Sequence, residues 1–222
     1  MKCNLCQQEF ALHLPITDLI SVHPLLLDAV CSDCLASLEQ CRLVKHCPYC
    51  SYPTNLDKCP ECNQWQKYQL KHQSLYYYND QLSSWLTMYK IKGHYQLRTT
   101  FLRSIYYELQ PVIQRGFHLV LIPTHPRKLK ERGFDPLLAM FELLPYPLEC
   151  CLQTVSYSDQ KSKTRDERLA TSQLFQLKYK PKTKKICLID DIYTTGRTIT
   201  HAYSLLQPMC EEICSFSLFR GK

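Results

Sequence analysis

Apolar positions along the chain fall into two regimes. Before about residue 65 they are short and broken by cysteine and proline, with no sustained period. Beyond it they either recur at helical spacing or run together over strand length. QLSSWLTMYKIKGHY (81–95) and QLRTTFLRSIYYELQ (96–110) carry the helical repeat, with Leu97, Phe101, Leu102, Ile105 and Leu109 in phase. Gly93 is placed to break the two apart. FHLVLIP (117–123) and KKICLI (184–189) are continuous apolar runs, which predict buried strands. FDPLLAMFELL (134–144) reads as a helix with Asp135 at its N-cap and Pro136 in its first position. CLQTVSY (151–157) is a candidate strand, and the polar stretch 158–170 has no period. RTITHAYSLLQ (197–207) predicts a helix and EICSFSLF (212–219) a closing strand. Strands alternating with helices predict an α/β fold: a mainly parallel sheet flanked by helices over residues 70–222. A small cysteine-rich domain over residues 1–65 precedes it.

Fourteen cysteines change the picture of that first segment. Eight form Cys-x-x-Cys pairs: Cys3/Cys6, Cys31/Cys34, Cys47/Cys50 and Cys59/Cys62. Two intervening residues let both sulfurs of a pair bind one tetrahedral ion at about 2.3 Å. Eight ligands make two closed four-thiolate zinc sites, which leave no position for substrate and are therefore structural. A segment this short buries too little core to fold alone, and metal supplies the difference. Unpaired core cysteines at this spacing are the weaker alternative. The ligands group either consecutively or as an interleaved cross-brace, and the consecutive form is preferred. Cys41, Cys150, Cys151, Cys187, Cys210 and Cys214 lack the spacing, and Cys187 and Cys214 read as small buried strand residues.

The N-terminus shows no basic stretch followed by an apolar core, and no apolar run approaches the ~18 residues of a membrane helix. The expectation is a reducing, cytoplasmic location without membrane insertion, where such cysteine pairs hold metal and not disulfides. Residues 1–70 carry a net charge of −2 and the remainder +9, out of +7 for the chain. Basic residues cluster in RKLKER (127–132), KSKTRDER (161–168) and KYKPKTKK (178–185). Each alone reads as solvated surface; three in one domain point to an anionic partner, a phosphorylated small molecule or nucleic acid.

CLIDDIYTTGRTIT (187–200) is the stretch that carries chemistry. Asp190 and Asp191 emerge together at the end of a buried strand, and in open α/β sheets that edge is where ligands bind. Tyr193 to Arg197 turn the chain into a helix, whose first N–H groups with Thr194, Thr195 and Thr198 form a cup for phosphate. Gly196 permits close backbone approach. Carboxylates that accept from hydroxyls, beside a phosphate cup, suit a ribose 5-phosphate. A helix cap with an incidental Asp, or a magnesium site for other phosphoryl chemistry, are the alternatives. A P-loop is excluded, because the earlier glycine is missing and Arg197 stands where the phosphate lysine belongs.

IDDIYTTGRT resembles the phosphoribosyl-pyrophosphate (PRPP) motif of type I phosphoribosyltransferases. ERGFDP (131–136), the basic QKSKTRDERL (160–169) and the N-terminal knuckles together resemble the ComF competence family over nearly the whole chain. The resemblance implies a type I phosphoribosyltransferase-like fold behind a double zinc ribbon. It implies that Asp190 and Asp191 hold the ribose hydroxyls and that Thr194, Thr195, Gly196, Arg197 and Thr198 hold the 5-phosphate. Pro123-Thr124-His125 would be the pyrophosphate turn, with Arg127 and Arg132 serving the diphosphate and magnesium bridging pyrophosphate and diol oxygens. Lys163, Arg165 and Arg168 would close as a lid. Asp135 in place of Asn in the Arg-Gly-Phe signature, Thr171 after the lid and the bulky Tyr193 are departures. The implied role is DNA uptake in natural transformation, on single-stranded DNA with a ComFA-type helicase. An active phosphoribosyltransferase of nucleotide salvage or modification is the second reading. No Ser-His-Asp or Cys-His constellation is present, no catalytic residue is assigned, and His125 reads first as a satisfied loop histidine.

Overall fold

A computed structural model describes residues 1–11, 26, 29–42, 45–60, 62, 70–155 and 173–221. In chain order its elements are helix α1 (Ser32–Gln40), strand β1 (Lys71–Tyr77), α2 (Asp80–Lys90), a 3₁₀ turn (Tyr95–Thr99) and α3 (Leu102–Gln114). There follow β2 (His118–Leu121), α4 (Pro126–Arg132), α5 (Pro136–Phe141), β3 (Leu148–Glu149), β4 (Leu152–Thr154) and β5 (Phe175–Leu177). The chain closes with β6 (Lys185–Tyr193), α6 (Arg197–Leu206) and β7 (Glu212–Arg220).

Five strands form one sheet in the order β1–β7–β6–β2–β3, every neighbouring pair parallel. The expected mainly parallel sheet with flanking helices is therefore present. β4 and β5 form a separate antiparallel pair. Ile186–Ile189 are all buried, as a strand covered on both faces requires. The predicted closing strand is central in space: β7 lies between β6 and β1. Its polar Ser215 and Ser217 are buried but satisfied, since both hydroxyls meet the His72 ring from β1 at 2.9 and 3.2 Å.

Gly93 takes φ +71° and ends the first helical stretch, and Asp135 caps α5 by accepting from the amides of Leu137 and Leu138. Asn79 caps α2 by accepting from the amide of Leu82 at 2.9 Å. KHQSLYY, which carries no clean alternation, is strand β1 at the edge of the sheet.

The described cysteine-rich residues lie against this edge. The amide of Tyr77 donates to the carbonyl of Cys41 at 2.8 Å, and the amide of Ser74 to the Ser51 hydroxyl at 2.8 Å. The Ser51 hydroxyl donates in turn to the carbonyl of His72 at 3.0 Å. An open parallel edge is thereby covered. Cys3, Cys31, Cys34 and Leu38 share one apolar core with Leu82, Trp85 and Phe101. Asn4 donates to the hydroxyls of Thr99 and Thr100 at 3.2 and 3.1 Å, and Arg42 meets Glu108 at 2.7 Å.

Candidate functional site

Strand lengths build the site. Pairing of β2 with β6 ends at Leu121 opposite Ile189, whereas β7 stays paired with β6 as far as Tyr193 opposite Arg220. Asp190 and Asp191 thus lie beyond the end of β2 but still inside β6, which runs four residues past the predicted strand end at Ile189. The notch faces the turn after β2 and the end of α2. A cavity of about 530 Å³ there is lined by Lys90, Thr124, His125, Arg132, Asp190 and Asp191, among others.

Local bonds fix both carboxylates. Asp190 Oδ1 accepts from the amide of Asp191 at 2.9 Å, and Asp191 Oδ1 from the amide of Ile192 at 2.7 Å. The ammonium of Lys90 forms an ion pair with Asp191 Oδ2. Burial pushes the Asp190 carboxyl up to about 6 against the pull of Lys90. Burial likewise brings Lys90 down to about 8, opposed by the charge of Asp190. Lys90 escaped sequence reading because a lysine in the last turn of a helix ordinarily serves the helix dipole.

Of the two arginine candidates, Arg132 lines the cavity and its Nε donates to the carbonyl of Lys90. Arg127 turns outward, pairs with Glu131 at 2.8 Å, and its side chain is 83% exposed. His125 caps α4: its Nδ1 accepts from the amide of Arg127 at 3.2 Å, the satisfied loop histidine expected. Asp135 adds a tie to the turn by accepting from the amide of Thr124 at 3.4 Å.

Thr194–Thr198 begin three residues after Asp191 but do not line this cavity. Thr194, Thr195 and Arg197 are exposed, Thr198 is half-buried and Gly196 is buried. Gly196 adopts φ +73°, and a Cβ there would collide with the Tyr193 ring. Glycine is needed here for its left-handed backbone and for the tyrosine that covers it. The helix start carries no side-chain cap at Gly196. Lys163, Arg165, Arg168 and Thr171 lie outside the described residues.

The eight knuckle sulfurs gather consecutively. Cys3, Cys6, Cys31 and Cys34 form one group, and Cys47, Cys50, Cys59 and Cys62 the other, with the sulfurs of each within 4.8 Å of one another. Edges of 3.7 Å (Cys6–Cys31) and 3.5 Å (Cys50–Cys59) match the ~3.8 Å sulfur separation of a zinc–thiolate tetrahedron with 2.3 Å bonds. Although burial opposes it, amide hydrogen bonds from Cys6, Cys31 and Leu5 bring the Cys3 thiol down to about 6. Burial pushes Cys34 and Cys62 well up, so four thiolates in one group require a cation at their centre. Both groups can hold zinc. Among the described residues no helix is long and apolar enough to cross a membrane.

Fold and site define a class: a parallel α/β sheet with an acid pair at its carboxyl edge, fronted by two four-cysteine metal knuckles. No protein-family model matches the chain. Two curated relatives do. The competence protein ComFC of Streptococcus pneumoniae (strain ATCC BAA-255 / R6) is 32% identical over 226 residues, covering 99% of this chain and 100% of that protein. The competence protein ComFC of Bacillus subtilis (strain 168) is 28% identical over 233 residues, covering 99% of this chain and 95% of that one. The chain belongs to the ComFC family of competence proteins.

Proposed function

We propose that the cavity at the carboxyl edge of β6 binds PRPP with magnesium, and that the protein uses this site in DNA uptake during natural transformation. The observation that carries it is the convergence on one cavity of Asp190, Asp191, Arg132 and the Thr124–His125 turn. Hydroxyls of a ribose are donors that two fixed carboxylates accept, and a guanidinium suits a diphosphate. The charges differ in sign across the cavity, as a sugar diphosphate requires.

Magnesium fits this donor set. Among the described residues only the cysteine groups form a ready-made metal cluster, so the ion has no protein cage of its own at the acids. That is the ordinary situation for magnesium, held by one or two carboxylates together with substrate phosphates. Bound, it would neutralise diphosphate charge. The chain's own groups orient the diol, position the diphosphate by Arg132, and give the 5-phosphate the exposed Thr194–Arg197 turn at the start of α6.

The partners we propose are single-stranded DNA and a ComFA-type helicase, supported by family membership and by the +9 net charge beyond residue 70. A catalytic phosphoribosyltransferase would use the same site, with positioning and electrostatics carrying the chemistry. Calorimetric titration with PRPP and magnesium tests the proposal: binding that Asp190→Asn and Asp191→Asn both remove supports it. No heat from the wild-type chain refutes it. Pyrophosphate release with a panel of bases separates transferase from binding protein.

A further inference from the structure

The second knuckle reaches the ligand loop. Tyr193, the last residue of β6, packs against the group formed by Cys47, Cys50 and Cys59. Its ring lies 3.9 Å from that of His72 at an interplanar angle of 26°. On its loop side the same ring covers Gly196. One side chain therefore touches the metal knuckle, the sheet and the first turn of α6.

His72 gives that ring a fixed bed. It is 2% exposed, and its two nitrogens meet the hydroxyls of Ser215 at 2.9 Å and of Ser74 and Ser217 at 2.9 and 3.2 Å. Burial, with Arg220 nearby, holds it well below the usual histidine range, so the stacked ring is neutral. Three hydroxyls leave the imidazole no room to swing.

Arg220 is the second, independent observation. It is 3% exposed, and no carboxylate pairs with it among the described residues. Its guanidinium carbon lies 5.4 Å from the Tyr193 ring and 5.7 Å from the Tyr52 ring, and Nη1 donates to the carbonyl of Tyr193 at 3.2 Å. Tyr52 belongs to the knuckle itself, since its carbonyl accepts from the amide of Cys47 at 2.9 Å. Buried guanidinium groups are rarely unpaired. Four thiolates around one zinc ion carry a net charge of about −2. Loaded, the second knuckle would bring that negative charge to the side of the molecule where Arg220 packs on Tyr52 and Tyr193. Among the described residues the first knuckle makes no such contact; it packs on Thr99, Thr100 and the α2–α3 core.

We propose that metal in the Cys47–Cys50–Cys59–Cys62 group, more than metal in the first group, sets the conformation of the Tyr193–Thr198 turn, with Tyr193 as the positioning residue between them. The consequence is a ligand site whose affinity follows the zinc content of one knuckle. This rests on the phosphate role proposed above for that turn.

The test uses the full chain with zinc content measured, and two readouts. One is amide hydrogen exchange over residues 193–200, which needs no ligand; the other is PRPP–magnesium affinity. Cys59→Ser, which loses one zinc equivalent, is expected to speed exchange and weaken binding about ten-fold more than Cys6→Ser does (a ten-fold change in affinity is ~1.4 kcal/mol). Tyr193→Leu should reproduce the Cys59→Ser effect with both zinc equivalents retained, and Tyr193→Phe, which keeps the stack, should restore it. Equal effects of the two cysteine variants, or wild-type exchange in Tyr193→Leu, overturn the inference. If the wild-type chain binds no PRPP, the assignment of the site fails while the exchange comparison still decides the relay.

Discussion

The ammonium group of Lys90, in the last turn of α2, meets the carboxylate of Asp191 at the carboxyl edge of β6. A helix that the sequence marks only as amphipathic thus supplies a cation to two adjacent acids. Their negative charge is answered from within the chain before any ligand arrives. Both side chains are mostly buried, at 24% and 17% exposure, so the pair lies between the surface and the interior regimes.

Lys90→Met removes that cation, leaving Asp191 without its ion-pair partner and the buried Asp190 without the positive charge that lowers it. An exposed pair is worth at most ~1 kcal/mol, and a broken buried one costs about 3–5 kcal/mol. A loss of about 2 kcal/mol is expected at pH 7 from urea unfolding. It should shrink at pH 5, where Asp190, already raised to about 6, is largely protonated and no longer draws on the cation. An equal loss at both pH values would assign Lys90 a packing role only.

Asp190 itself opposes folding at neutral pH. Its folded-state carboxyl stands at about 6 against an ordinary 3.8, so between those values the folded protein binds more protons than the unfolded one. Stability from this group therefore falls as pH rises from about 4 to 6 and stays lost above. Asp190→Asn should raise the melting temperature at pH 7 and flatten the pH 4–6 slope, while abolishing PRPP binding. A stabilised protein that cannot bind is the expected trade at a functional site. A variant that melts lower at pH 7 with an unchanged slope would contradict it.

Much of this was legible in the sequence because period and punctuation agreed. Leu97, Phe101, Ile105 and Leu109 are buried as their helical phase required, Asp135 caps its helix, and the cysteine pairs group consecutively. β1 was not legible: His72 and Ser74 break its apolar pattern, and they are tolerated only because Ser215 and Ser217 come from 143 residues away to satisfy them. Lys90 and Tyr193 were illegible as site residues for the same reason. Their roles exist only where α2, the second knuckle and β6 meet, and no local spacing encodes a meeting of distant segments.

Arg127 and Arg132 belong to one short basic run, yet α4 separates them. Arg132 lines the cavity and Arg127 pairs outward with Glu131. Arg132→Gln should weaken PRPP–magnesium binding by about 10- to 150-fold, as loss of a charged hydrogen bond of about 1.5–3 kcal/mol implies. Arg127→Gln should cost less than about two-fold, since an exposed i,i+4 pair contributes only ~0.3–0.5 kcal/mol to anything. Calorimetry on the two variants decides; equal losses would mean that the diphosphate draws on the field of the whole run instead of one guanidinium.

Removing zinc should reach well beyond the knuckles. Cys31, Cys34 and Leu38 are part of the core that includes Trp85 and Phe101, and Ser51 and Cys41 bond to the edge of β1. If the cysteine-rich segment loses its metal, its folding energy goes with it. β1 then has an uncovered edge, and α2 and α3 lose apolar neighbours. The expected calorimetric result on chelation is a lowered melting temperature for the entire chain, with faster amide exchange along Lys71–Tyr77. A metal-free chain that kept a transition at the original temperature would show that the sheet stands without its cysteine cover, and that residues 1–65 fold apart from it.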